Sequence, residues 1–115
     1  MDVLATLAAT GLACQFTSAT IDGRRPFPSD FDLQLAAATA PGFAILTASG
    51  ERDRPFRIER NGVWTSFLSD EVFEFGRTAV IDIAGDGRAT FVTRQPGMAA
   101  EMISREGHCG PAGQG

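Results

Sequence analysis

The sequence predicts an all-β fold, a small antiparallel sandwich or barrel of about seven to eight short strands closed by one disulfide. Three observations carry that expectation. Turn residues recur roughly every ten positions, at Gly23, Pro26, Pro28, Pro41-Gly42, Gly50, Pro55, Asn61-Gly62, Gly76, Gly85-Asp86-Gly87 and Pro96-Gly97. The runs between them are short and rich in β-branched and aromatic residues. Two cysteines, Cys14 and Cys109, bracket the turn-rich region.

A chain of 115 residues fits one domain, placed here over 14–109. Nine Phe and one Trp can supply a core, but a chain this short buries a modest share of its surface and gains from a staple. In an oxidising compartment the bracketing cysteines form that staple. Closing so long a loop stabilises the fold by about 4–5 kcal/mol on the chain-entropy argument.

Residues 1–13 (MDVLATLAATGLA) form a short apolar stretch with small residues ahead of Cys14. The stretch is signal-like, but it lacks a basic start and carries Asp2. It is read either as a processed segment or as a retained strand or short helix, and it is too short to span a bilayer. Residues 110–115 (GPAGQG) read as a disordered tail.

The strands are expected at Gln15–Ile21, Phe31–Ala38, Phe43–Ala48, Phe56–Arg60, Val63–Leu68, Thr78–Ala84, Arg88–Arg94 and Glu101–Arg105. Asn61-Gly62 is a strong two-residue hairpin signal. It pairs Arg60 with Val63, Ile58 with Thr65 and Phe56 with Phe67. Phe56, Ile58, Val63 and Phe67 then share one face, and Arg57, Glu59, Trp64 and Ser66 the other. For the later hairpin, a three-residue loop Gly85-Asp86-Gly87 with Gly87 left-handed pairs Ile81 with Phe91 and Ile83 with Ala89, which keeps the faces unmixed. Ser69–Gly76 reads as a single helical turn started by Ser69, with a short strand as the alternative.

All ten basic residues are Arg, and the net charge is −4. An acidic chain with interleaved signs lacks the basic surface that nucleic acid requires. No catalytic constellation is complete. His108 adjoins Cys109, where neighbouring side chains of an extended chain point apart. Asp82 and Asp86 fall short of a calcium loop. Asp70, Glu71 and Glu74 read as solvated charges rather than a glycosidase pair. No cofactor or metal is expected, and no enzyme. The surface of most interest is the charged run Glu51–Arg57 with Trp64, because Arg and Trp are frequent at binding hot spots. Its candidate partner-binding residues are Ser49, Arg52, Arg54, Arg57 and Trp64, with Arg57 and Trp64 expected diagonally across the hairpin and able to stack.

Three local patterns, Cys14-Gln15-Phe16, Gly85 to Thr90 (GDGRAT) and Gly107-His108-Cys109, resemble small uncharacterised exported β-domain proteins of alphaproteobacteria. A second resemblance is to the periplasmic inhibitors of c-type lysozyme, through Thr47-Ala48-Ser49-Gly50-Glu51-Arg52, although Asp53 stands where that loop carries Tyr. These resemblances and the cysteine pair imply a periplasmic or secreted protein, with the cytoplasm as the alternative. The implied role is binding to a protein or another envelope component. In the inhibitor alternative, Ser49 and Arg52 would enter the lysozyme cleft.

Overall fold

The computed structural model describes residues 1–48, 53–69, 78–95, 97 and 101–113. A helix, α1 (Val3–Ala9), precedes eight strands: β1 (Leu12–Ile21), β2 (Phe27–Ala37), β3 (Phe43–Ala48), β4 (Arg54–Asn61), β5 (Trp64–Leu68), β6 (Thr78–Ala84), β7 (Arg88–Arg94) and β8 (Met102–Pro111). The strands form an antiparallel barrel in chain order, and β8 returns to pair with β1. Closure leaves no free sheet edge among the described strands. The expected helical turn over 69–76 falls almost wholly outside the described residues.

Alternation builds the interior. Leu33 and Leu35 of β2, Phe56 of β4, Phe67 of β5, and Ile81 and Ile83 of β6 are all buried and fill the barrel with side chains. In β1 the buried residues are Leu12, Cys14, Phe16 and then Ala19, so the period of two breaks once. The break is a β-bulge at Thr17, where the register with both β2 and β8 shifts between Phe16 and Ser18. The extra residue turns β1 by half a pleat, so the strand continues with its apolar side inward. Pro28 belongs to β2 and pairs with Ser18 just past the bulge. That end of β2 extends beyond its ladder with β3, which covers Leu33–Ala37, so a proline without a donor is tolerated there.

Cys14 and Cys109 form the disulfide, directly opposite each other in the β1–β8 ladder. Two residues away, Gly107 faces Phe16. A Cβ on Gly107 would lie 2.6 Å from the Phe16 Cα and even closer to the Gln15 carbonyl oxygen, so the bulged strand and β8 approach this closely only over a glycine. β8 runs on through Gly110 and Pro111, which pair with Ala13 and Leu12.

Helix α1 closes one end of the barrel. Asp2 caps it by accepting from the Ala5 amide at 3.1 Å. Val3 and Leu7, one turn apart, are buried in the core. The Met1 amino group donates to the Gly85 carbonyl at 2.6 Å, tying the helix to the β6–β7 turn. Nearer the other end, Phe91 packs against both Phe16 and Phe31 with centroids 5.7 Å apart. The Arg105 guanidinium lies over the Phe31 ring at 4.7 Å and donates to Ser29 Oγ. Partial burial lowers the Arg105 pKa by desolvating its charge.

The β6–β7 hairpin has the expected register, with Ile81 opposite Phe91 and Ile83 opposite Ala89, and Gly87 has φ +93°. The β4–β5 hairpin corrects the expectation. Asn61 pairs with Trp64, Arg60 with Thr65 and Ile58 with Phe67. The turn residues are therefore Gly62 and Val63 rather than Asn61 and Gly62. Gly62 has φ +64° and Val63 does not share it, which is the signature of a type II′ turn. Val63 consequently leaves the inner face and is 77% exposed at the hairpin tip.

Candidate functional site

The outer wall of β4 to β8 carries the densest polar arrangement among the described residues, and the ladders set it. Ser66 of β5 pairs with Asp82 of β6, Asp82 with Thr90 of β7, and Thr90 with Glu106 of β8. These residues form one row around the barrel, with adjacent Cβ atoms roughly 5 Å apart. Trp64 stands two residues before Ser66 on the same face and opposite Asn61.

Ser66 links the row into a network. Its Oγ accepts from Asn61 Nδ2 at 3.2 Å and donates to Asp82 Oδ1 at 2.5 Å. Although it faces outward, Ser66 is buried, at the floor of an open groove of about 290 Å³ lined by Asn61, Trp64, Ser66, Asp82 and Thr90. On an outer wall a buried hydroxyl must find partners, and both of these come from neighbouring strands.

A second open groove, of about 370 Å³, shares Trp64 and Thr90 with the first and is lined further by Arg88, Glu106 and His108. Trp64 is half-buried between the two. The Arg88 guanidinium sits 5.9 Å from the indole centroid, within cation–π range. Arg88 Nε donates to Asp86 at 2.8 Å, and the Arg88 amide donates to the same carboxylate at 3.0 Å. The amide bond, followed by the guanidinium contacts, holds the Asp86 carboxyl below its ordinary value.

The candidate residues read from the sequence are not brought together. Ser49 and Arg52 lie outside the described residues. Arg54 pairs with buried Leu46 and lies on the inward side of β4. Arg57 faces outward but pairs with Leu68, at the far end of the hairpin from Trp64, and it forms an ion pair with Glu59. The expected Arg57–Trp64 stack is therefore corrected: Arg88 of β7 occupies the place expected for Arg57. Trp64 keeps its expected outer face. Ser66, Asp82, Arg88 and Thr90 are not legible as one site in the sequence: the β6–β7 hairpin sets Asp82 beside Thr90, but Ser66 and Trp64 join them across the connection 69–77, whose length sets no register.

Among the described residues, Ser66, Asp82 and His108 do not form a hydrolytic triad. The Ser66 hydroxyl proton already points at a carboxylate. His108 lies on β8, three strands away and roughly 14 Å off at about 4.8 Å per strand. Among the described residues, no three His, Cys, Asp or Glu side chains converge as a metal site, and no helix is long and apolar enough to cross a membrane. Comparison with protein-family models, curated proteins and solved structures returned no match.

Proposed function

We propose that this chain is a non-enzymatic binding module of an oxidising envelope compartment, periplasmic or secreted. It engages a protein or another envelope component through the outer wall around Trp64. The observation that carries this reading is the half-buried Trp64 standing between two open grooves, with Arg88 beside its ring. A large aromatic with an adjacent guanidinium is the pairing that recurs at binding hot spots. The barrel interior is occupied by its own Phe, Leu and Ile side chains, which supports an external site over an enclosed ligand. The Cys14–Cys109 bridge supports an oxidising location, since such bonds persist there and are rare in a reducing cytosol.

The test is cross-linking in envelope extract followed by mass spectrometry, with wild-type protein beside Trp64→Ala. The reading expects a partner captured by the wild type and lost by the variant, with the variant still folded by circular dichroism. Undiminished capture by folded Trp64→Ala overturns it.

A further inference from the structure

We infer that the groove between Asn61, Trp64, Asp82 and Thr90 is a saccharide subsite that takes one pyranose ring of a glycan against the indole. The inference rests on the reading of this wall as a binding surface and names the ligand class. Three features of the groove point to a sugar.

The first is the pairing of an aromatic wall with planar hydrogen-bonding groups. A pyranose presents an apolar C–H face that stacks on an indole and a rim of hydroxyls that need partners. Trp64 supplies the wall. Asp82, Asn61 and Thr90 supply a carboxylate, an amide and a hydroxyl on the same groove. A carboxylate has acceptor sites on both oxygens, and Ser66 donates to Oδ1 of Asp82. Oδ2 would then accept from a ligand hydroxyl. Ser66, itself held by Asn61, fixes the carboxylate beforehand, so little ordering is left to binding.

The second feature is size. At about 290 Å³ the groove is at the small end of ligand sites, which suits a single ring. The adjoining groove of about 370 Å³ continues across Thr90, where Arg88, Glu106 and His108 can meet the next unit of a chain.

The third feature disfavours other ligands. An extended peptide is commonly captured by adding a strand to a free sheet edge, and the closed barrel has none. An anionic ligand would meet the Asp82 carboxylate in a chain of net charge −4.

Trp64 is the only tryptophan and the chain has no tyrosine, so its fluorescence reports directly on this groove. The probes are triacetylchitotriose and cellotriose, titrated into the oxidised protein. The expected result is a saturable change in emission. Asp82→Asn, which keeps a neutral acceptor for Ser66, should weaken binding about tenfold or more through loss of a charged hydrogen bond, while circular dichroism shows the fold retained. Calorimetry on Trp64→Ala should show no heat of binding. The inference is overturned if neither probe gives a saturable response at ~10 mM, where even a millimolar site would be filled. Unchanged affinity in Asp82→Asn overturns it equally. A failed titration beside partner capture that still depends on Trp64 refutes the saccharide alone. Capture indifferent to Trp64 refutes the wall as a binding surface.

Discussion

Gly107 lies directly across from Phe16, so close that a Cβ would meet the Phe16 Cα at 2.6 Å. The contact is backbone against backbone, and no side-chain rotation relieves it. Gly107→Ala should therefore cost at least about 3 kcal/mol, at or beyond the usual range for overpacking. Urea denaturation measures this, and a loss under about 1 kcal/mol would show that β1 and β8 can separate freely at the bulge.

Two turn glycines should respond differently to the same substitution. Gly62 has φ +64° with no atom within 4 Å of a built Cβ, whereas Gly87 has φ +93° and meets the Cys109 carbonyl oxygen at 2.8 Å. Gly62→Ala should cost only the strain of a positive φ, about 1–3 kcal/mol. Gly87→Ala adds a clash with backbone and should cost clearly more. Equal melting temperatures for the two variants would contradict the close approach of the β6–β7 turn to β8.

The bridge makes a quantitative prediction as well. Cys14 and Cys109 are 95 positions apart, so replacing both with Ser should remove about 4–5 kcal/mol if the loss is that of loop closure. Wild type in excess reductant should match the double variant. Peptide mapping without reductant should recover the linked pair.

Position and burial separate Trp64 from the core aromatics. Phe67 on β5 is fully buried, and Phe67→Ala should cost about 3–5 kcal/mol. Trp64→Ala, half-exposed on the other face of the same strand, should cost less than half of that. Thermal melts of the two variants decide the point. A Trp64→Ala loss as large as that of Phe67→Ala would make the indole a structural cover.

Asp86 gives a pH signature. Its pKa is lowered by the bonds it accepts from Arg88, so the contribution to stability is present above the unfolded-state value and is lost as pH falls through the folded one. The Arg88 amide resonance should then shift with a midpoint below the ordinary aspartate value of 3.8. Asp86→Asn should abolish that titration.

Much of the fold is legible in the chain, and the gaps have physical causes. β3, β6 and β7 begin and end where alternation and turn residues place them. The register of β4–β5 differs from the expectation because pairing Ile58 with Phe67 or with Thr65 leaves the paired side chains on the same faces, and only Val63, now in the turn, moves. A slip of two residues is invisible to a pattern of period two. The C-terminal half of β8 carries Gly107, Gly110 and Pro111, which argue against a strand locally. Tertiary contact with β1 overrides them. The outer face of Trp64 could be read from its own hairpin. Its placement beside Asp82, Arg88 and Thr90 could not, because the long connection between β5 and β6 leaves the register of those two strands open.

Every ladder but one joins strands consecutive in the chain, and the exception is β1 with β8. Its residues must find each other across nearly the whole length of the polypeptide, an entropic cost met before any of its contacts form. Hairpins such as β6–β7 should fold early by comparison, with the seam the expected slow event. A chain that retains the Cys14–Cys109 link while unfolded begins with its seam already tethered, so it should refold faster than the reduced chain in stopped-flow. The bridge is then a kinetic shortcut in refolding as well as a clasp on the finished barrel.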